Sequence, residues 1–227
     1  HHKKFLTVEQ RVLNFQPDVL IEIGCGPGVF LRDFCTSISH KFGFDISESQ
    51  IAYASNLSPQ VSFSHTFQTL ITDLEDKLPT NCKSVCIVLI EVIEHIDEQA
   101  LISMTTTLKA LLAKRKVNEI RLIATTPNKR SLWPVLELLI DFFLRTNYRE
   151  QHQNLMNVRE FCLLFKNLGG TREIVLGTFM SVLDWLAKQA PLTLRTNLKF
   201  LGMLMLIETQ FSDQPFQKPL PYDKNYS

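Results

Sequence analysis

Three side chains able to move protons or grip cations stand together in "EVIEHI": Glu91, Glu94 and His95. If the segment opens a helical turn, they occupy i, i+3 and i+4 and share a face. Three readings stay open. The glutamates are acids favoured by the positive end of a helix; or His95, with Glu94 beside it, takes a proton or positions an acceptor; or two glutamates and two histidines form a hard-to-borderline metal site. The second histidine is His152, in "YREQHQNLMNVREF", ahead of a helix-type segment. Acid–base work by His95, His152 and Glu94 is preferred to a metal on Glu91, Glu94, His95 and His152.

A second constellation is "VLIEIGCGPGVF", an apolar run carrying Glu22 that breaks into Gly24, Gly26 and Gly28. Alternating glycines suit a strand that turns sharply into a helix where backbone and ligand meet, and the helix start offers N–H groups. A dinucleotide fingerprint, G-x-G-x-x-G, would put its third glycine at position 29, which is Val29. A P-loop would need a following Lys-Ser/Thr, and there is none. Downstream, Asp45 in "FGFDIS" ends a second apolar run, where a carboxylate accepts both hydrogen bonds of a ribose diol. The ligand described by these residues is a nucleoside without a diphosphate.

The elements that must position these groups alternate along the chain. Strand-type runs are "VLIEI" (19–23), "KFGFD" (41–45), "VSFSH" (61–65), "SVCIVLI" (84–90), "EIRLIATT" (119–126), "REIVLGTF" (172–179) and "LMLIETQF" (204–211). Helix-type segments are "VFLRDFCTSIS" (29–39), "SESQIAYASNL" with Ser47 as cap, "DEQALISMTTTLKALLAK" with Asp97 as cap, and "NVREFCLLFKNLGG". Leu101, Met104, Leu108, Leu111 and Leu112 give the third of these a buried stripe. The pattern predicts an α/β fold with a doubly wound, mostly parallel seven-stranded sheet and helices on both faces. One domain over 1–211 is expected, with an apolar helical insert at about 131–147 and a loose polar tail over 212–227.

In "VLIEIGCGPG", "GFDIS", "EVIEHI" and "TTPN", in that order, the chain resembles the class I S-adenosylmethionine-dependent methyltransferases over roughly residues 10–180. The resemblance implies a Rossmann-like fold whose last strand runs antiparallel, with S-adenosylmethionine as cofactor. It implies that Glu22 and the Gly24–Cys25–Gly26–Gly28 loop hold the methionine end, that Asp45, with Ile46 beside it, takes the ribose, and that Ile90 and Glu91 line the cofactor. The adenine slot, usually acidic, falls at "SHTFQ", so adenine is expected on Thr66 or the Phe67 backbone N–H. Ser84 stands where the family has a strand-four acid. His95 would lie toward the acceptor. E-x-x-E-H with a distant His also resembles metal-dependent small-RNA 3′-terminal 2′-O-methyltransferases, and quinone-type and lipid-type O-methyltransferases.

Composition sets limits on partners. The 227 residues are 45% hydrophobic and 21% charged with a formal net charge of +1, and "KRK" (114–116) and "KR" (129–130) are only short basic clusters. Nothing here is a phosphate track, which argues against nucleic acid. Five cysteines without framework spacing suit reduced thiols and a cytoplasmic protein. "HHKKFLTVEQ" has charge but no apolar core, so no leader is expected there. "LWPVLELLIDFFL" is too short for a membrane span and carries Glu137 and Asp141. It reads as a helix on the sheet, or as a lid over an apolar acceptor that touches a membrane surface. Expected function is O-methylation of a small, lipid-like or quinone-like acceptor. The alternatives are the RNA methyltransferase and a non-catalytic S-adenosylmethionine-binding partner protein.

Overall fold

Among the described residues, seven strands hydrogen-bond into one sheet of order β3-β2-β1-β4-β5-β7-β6. The computed structural model describes residues 2–129, 156–168, 170–177 and 204–211. In chain order the elements are α1 (His2–Phe15), β1 (Val19–Ile23), α2 (Val29–Asp33), β2 (His40–Phe44), α3 (Glu48–Leu57), β3 (Ser62–Ser64) and α4 (Phe67–Lys77). They continue as β4 (Ser84–Ile90), a 3₁₀ turn (Ile93–His95), α5 (Glu98–Lys114), β5 (Glu119–Pro127), α6 (Val158–Asn167), β6 (Gly170–Gly177) and β7 (Leu204–Phe211). β1 to β5 run parallel, and β7 is antiparallel to both of its neighbours. All seven expected runs are strands, and the antiparallel last strand is as expected. The insert at about 131–147 and the tail over 212–227 lie outside the described residues.

Two apolar layers sandwich the sheet, as continuous runs such as "CIVLI" require. One collects Val8 and Val12 of α1, Phe30 and Leu31 of α2 and Ile51 of α3 against Leu20, Cys86, Val88 and Ile123. The other packs Leu70 and Leu74 of α4, Leu101, Leu108, Leu111 and Leu112 of α5, and Phe161, Leu164 and Phe165 of α6 against the opposite face. Asp97 caps α5 as its sequence predicts, accepting from the Gln99 and Ala100 N–H groups at 3.0 and 3.2 Å.

Three helices depart from expectation, one of them α4, which lies where no helix was expected. The segment 29–39 holds only the short α2, because Phe34 is extended and Cys35 is left-handed at φ 50°. Glu9 of α1 accepts the Cys35 N–H at 2.8 Å, a tertiary bond that stabilises the early stop. α1 itself was not expected. It forms because Phe5, Val8, Val12 and Phe15 recur at helical spacing and bury against the sheet.

Candidate functional site

Strand order reverses between β1 and β4, and in open parallel sheets that reversal leaves a ligand crevice at the carboxyl ends. The glycine loop leaves β1 on one side of it, and "EVIEH" leaves β4 on the other. The two segments touch. A Cβ on Gly24, whose φ is +72°, would stand 2.3 Å from Val92 Cγ2. Gly28, also at φ +72°, starts α2 where a Cβ would meet Phe63 at 2.8 Å. Both positions therefore require glycine for space as well as for backbone angle.

The loop is stapled to the end of β2. Gly24 and Cys25 N–H both donate to the Phe44 carbonyl, at 2.7 and 3.0 Å. Gly26 N–H donates to Asp45 Oδ2 at 2.8 Å, and Ser47 N–H to Asp45 Oδ1 at 2.9 Å. Each Asp45 oxygen thus has a backbone donor and retains further acceptor capacity. Ile46, next to it, is 86% exposed, an unusual setting for a large apolar side chain. Cys25 is buried; burial, then Glu22 and Asp45, push its thiol up, so it fills space as a neutral group.

Glu22 is 3% exposed, and its Oε2 has no hydrogen-bond partner. Burial, reinforced by the Asp45 carboxylate, raises its pKa well above the ordinary carboxylate value. An acceptor left open in a buried carboxyl costs free energy unless something fills it.

At β4, the expected shared face of Glu91, Glu94 and His95 does not form. Ile90 ends the strand buried, and Glu91 is left-handed at φ 56°, fixed by its N–H to the Thr125 carbonyl at 3.0 Å. That reversal leaves only the 3₁₀ turn Ile93–His95, in which Glu94 is fully buried and His95 is exposed. Thr126 Oγ1 donates to Glu94 Oε2 at 3.0 Å, Oε1 has no partner, and burial lifts the carboxyl to about 7. Glu91 pairs with Lys4 of α1, a contact no local sequence signal announces across 87 positions. Among the described residues no three His, Cys, Asp or Glu side chains gather as a metal-ligand set. His152 lies outside them.

Thr66, expected at an adenine slot, caps α4, accepting the Thr69 N–H at 3.0 Å. Phe67 opens that helix and packs edge-on to Phe44 at 5.9 Å.

The profile of the methyltransferase domain family matches residues 3–171. No curated protein matches the chain in sequence. Among solved structures, a SAM-dependent methyltransferase from Archaeoglobus fulgidus aligns with TM-score 0.55 and 16% identity, over 91% of this chain and 94% of that one. The magnesium protoporphyrin IX methyltransferase of Synechocystis PCC 6803, with bound SAH, aligns at 0.57 and 14%, over 93% and 84%. The plantazolicin methyltransferase BamL, with SAH and a triazolic desmethylPZN analog, aligns at 0.59 and 16%, over 93% and 85%. At such identities the likeness is one of fold. Among the described residues no helix is long and apolar enough to cross a membrane.

Proposed function

We propose that this chain, which belongs to the methyltransferase domain family, uses S-adenosylmethionine to methylate a hydroxyl oxygen of a small acceptor, residues 1–211 acting as one domain. The carrying observation is Glu22: a buried carboxyl with one open oxygen, two residues ahead of a glycine loop at the strand reversal. That oxygen suits the ammonium of the donor's amino-acid end. Asp45 retains acceptor capacity for a ribose diol, and exposed Ile46 offers an apolar surface to a purine. The Thr66 oxygen is committed to its helix, so the Phe67 backbone N–H is the better of the two candidates for adenine. The bound cofactor supplies an electrophilic methyl group on sulfonium sulfur, open to in-line displacement.

The chain's own work is orientation and proton removal. His95, exposed at the carboxyl edge beside the buried Glu94, takes the proton of the acceptor hydroxyl; His152 is the second candidate for that role. The test is methyl transfer from labelled donor to a panel of small phenols and quinols, with S-adenosylhomocysteine affinity measured alongside. His95→Ala, or His152→Ala, is expected to lower turnover about a hundredfold while leaving that affinity unchanged. Turnover intact in both variants would overturn the base assignment, and a wild type without affinity would overturn the donor reading.

A further inference from the structure

The glycines of the loop after β1 do not all meet the same kind of neighbour. A Cβ on Gly24 would meet Val92, and one on Gly28 would meet Phe63 and Ala54, all apolar. The neighbour of Gly26 is polar. A Cβ there would stand 3.0 Å from Gln50 Oε1 and 3.9 Å from Gln50 Cδ, with no other atom beyond its chain neighbours within 4 Å. The Gln50 carbonyl is therefore aimed at the loop, and Nε2 is turned away from the glycine.

Gln50 reaches that place because α3 is docked along the loop. Gln50 and Ala54 stand at i and i+4 on one face of α3, and that face runs past Gly26 and Gly28. Ile51 and Ala54 are buried. The start of the helix is tied to the end of β2: the Ser47 N–H donates to Asp45 Oδ1, and the Ser47 carbonyl accepts the Ile51 N–H at 3.0 Å. Gly26 thus stands between two polar side chains, its N–H on Asp45 Oδ2 and its Cβ position facing the Gln50 carboxamide. Gln50 is exposed, and its carboxamide makes no hydrogen bond to any described residue. Holding so long a side chain on a glycine costs rotamer freedom that no bond among the described residues offsets.

We propose that Gln50 is a ribose-binding residue of the methyl-donor site, its amide N–H donating to an oxygen of the diol whose hydroxyl protons Asp45 accepts. This rests on the donor reading above. A vicinal diol offers two O–H donors and, on each oxygen, lone pairs that stay open after those protons are given. An ionised Asp45 only accepts, so it answers the donors and leaves the lone pairs. A carboxamide N–H answers the lone pairs. Together the two side chains read the diol in both senses, one on each side of Gly26. A second acid in place of Gln50 would only accept, and it would repel Asp45.

Three calorimetric probes test the assignment: S-adenosylhomocysteine, its 2′-deoxy form and its 3′-deoxy form. Wild type is expected to bind S-adenosylhomocysteine the most tightly of the three. Gln50→Met, of similar length but without donor or acceptor, is expected to weaken S-adenosylhomocysteine about threefold to tenfold. The same variant is expected to stay within about twofold of wild type on one deoxy probe, the one that lacks the oxygen Gln50 serves. Gln50→Glu keeps the shape but only accepts, and it is expected to weaken S-adenosylhomocysteine at least as much as Gln50→Met. If Gln50→Met weakens all three probes alike, Gln50 acts by packing on the loop and this proposal alone is overturned. It is overturned equally if Gln50→Met weakens none of them, or if Gln50→Glu binds as wild type does. A wild type that does not take S-adenosylhomocysteine overturns the donor reading, and this proposal with it.

Discussion

β1 is bracketed by two acids that meet opposite environments. Asp18 directly precedes it at the amino edge. There Asp18 Oδ2 accepts from the Lys83 N–H at 2.7 Å, the Ser84 N–H at 2.9 Å and the Ser84 hydroxyl at 3.1 Å. Those bonds, led by Lys83, hold its pKa below the ordinary value. Glu22 stands four residues on, buried, with an oxygen unanswered and its pKa driven up. The same strand pair is closed by its own hydrogen bonds at one edge and left with open acceptors at the other. Strain does not separate the edges, since Gln16 and Lys116 are left-handed near the amino edge as Glu91 is at the carboxyl edge. What marks the proposed site is unsatisfied polarity together with a glycine cradle.

The largest effect is expected where the cradle itself is filled. Gly24→Ala puts a Cβ against Val92 and an L-residue into left-handed backbone, which should cost roughly 2–4 kcal/mol. Thermal unfolding should show that loss. S-adenosylhomocysteine affinity should fall about tenfold or more; unchanged affinity would mean that the carboxyl edge is not the donor site. A smaller effect is expected at Glu94. Its folded pKa, about 7, is raised above the ordinary value near 4.5, so its contribution to stability is full below about 4.5 and is lost as pH rises through 7. Glu94→Gln keeps an acceptor for Thr126 and cannot ionise. Relative to wild type it should gain up to about 3 kcal/mol between pH 4 and pH 8, read from melting curves. Parallel pH profiles for the two proteins would place Glu94 in a wetter setting than its burial implies.

How far these edges were legible in the sequence follows from the range of the forces involved. Strands announce themselves by continuous apolar runs, and the glycine loop with Asp45 is a local pattern, so fold and cradle were both readable. The shared face of Glu91, Glu94 and His95 was not, because the left-handed turn at Glu91 is set by Thr125 on the neighbouring strand. The short α2 depends on Glu9 of a distant helix, and Lys4 meets Glu91 only after α1 has docked. Thr66 had a local signal: a threonine ahead of a helix is a cap before it is anything else. Ser84 shows the reverse case. The resemblance implies an acid there on β4, and the acid Ser84 meets is Asp18, just ahead of the adjoining strand.

That pairing supplies the smallest expected effect and the control for the other two. Asp18→Asn keeps a carbonyl acceptor for Lys83 and Ser84 but removes the charge that strengthens three hydrogen bonds. Because Asp18 is solvent-exposed, the loss at pH 7 should be only about 0.5–1 kcal/mol. A lowered carboxyl stabilises the fold above its unfolded value near 3.8 and ceases to do so as pH falls through the folded value, so the difference from wild type should close in acid. S-adenosylhomocysteine affinity should stay the same, since the crevice opens at the far ends of these strands. If affinity instead fell with stability, the two edges would be coupled through β1 and β4, and a drop in binding at Gly24 would no longer mark the carboxyl edge as the site.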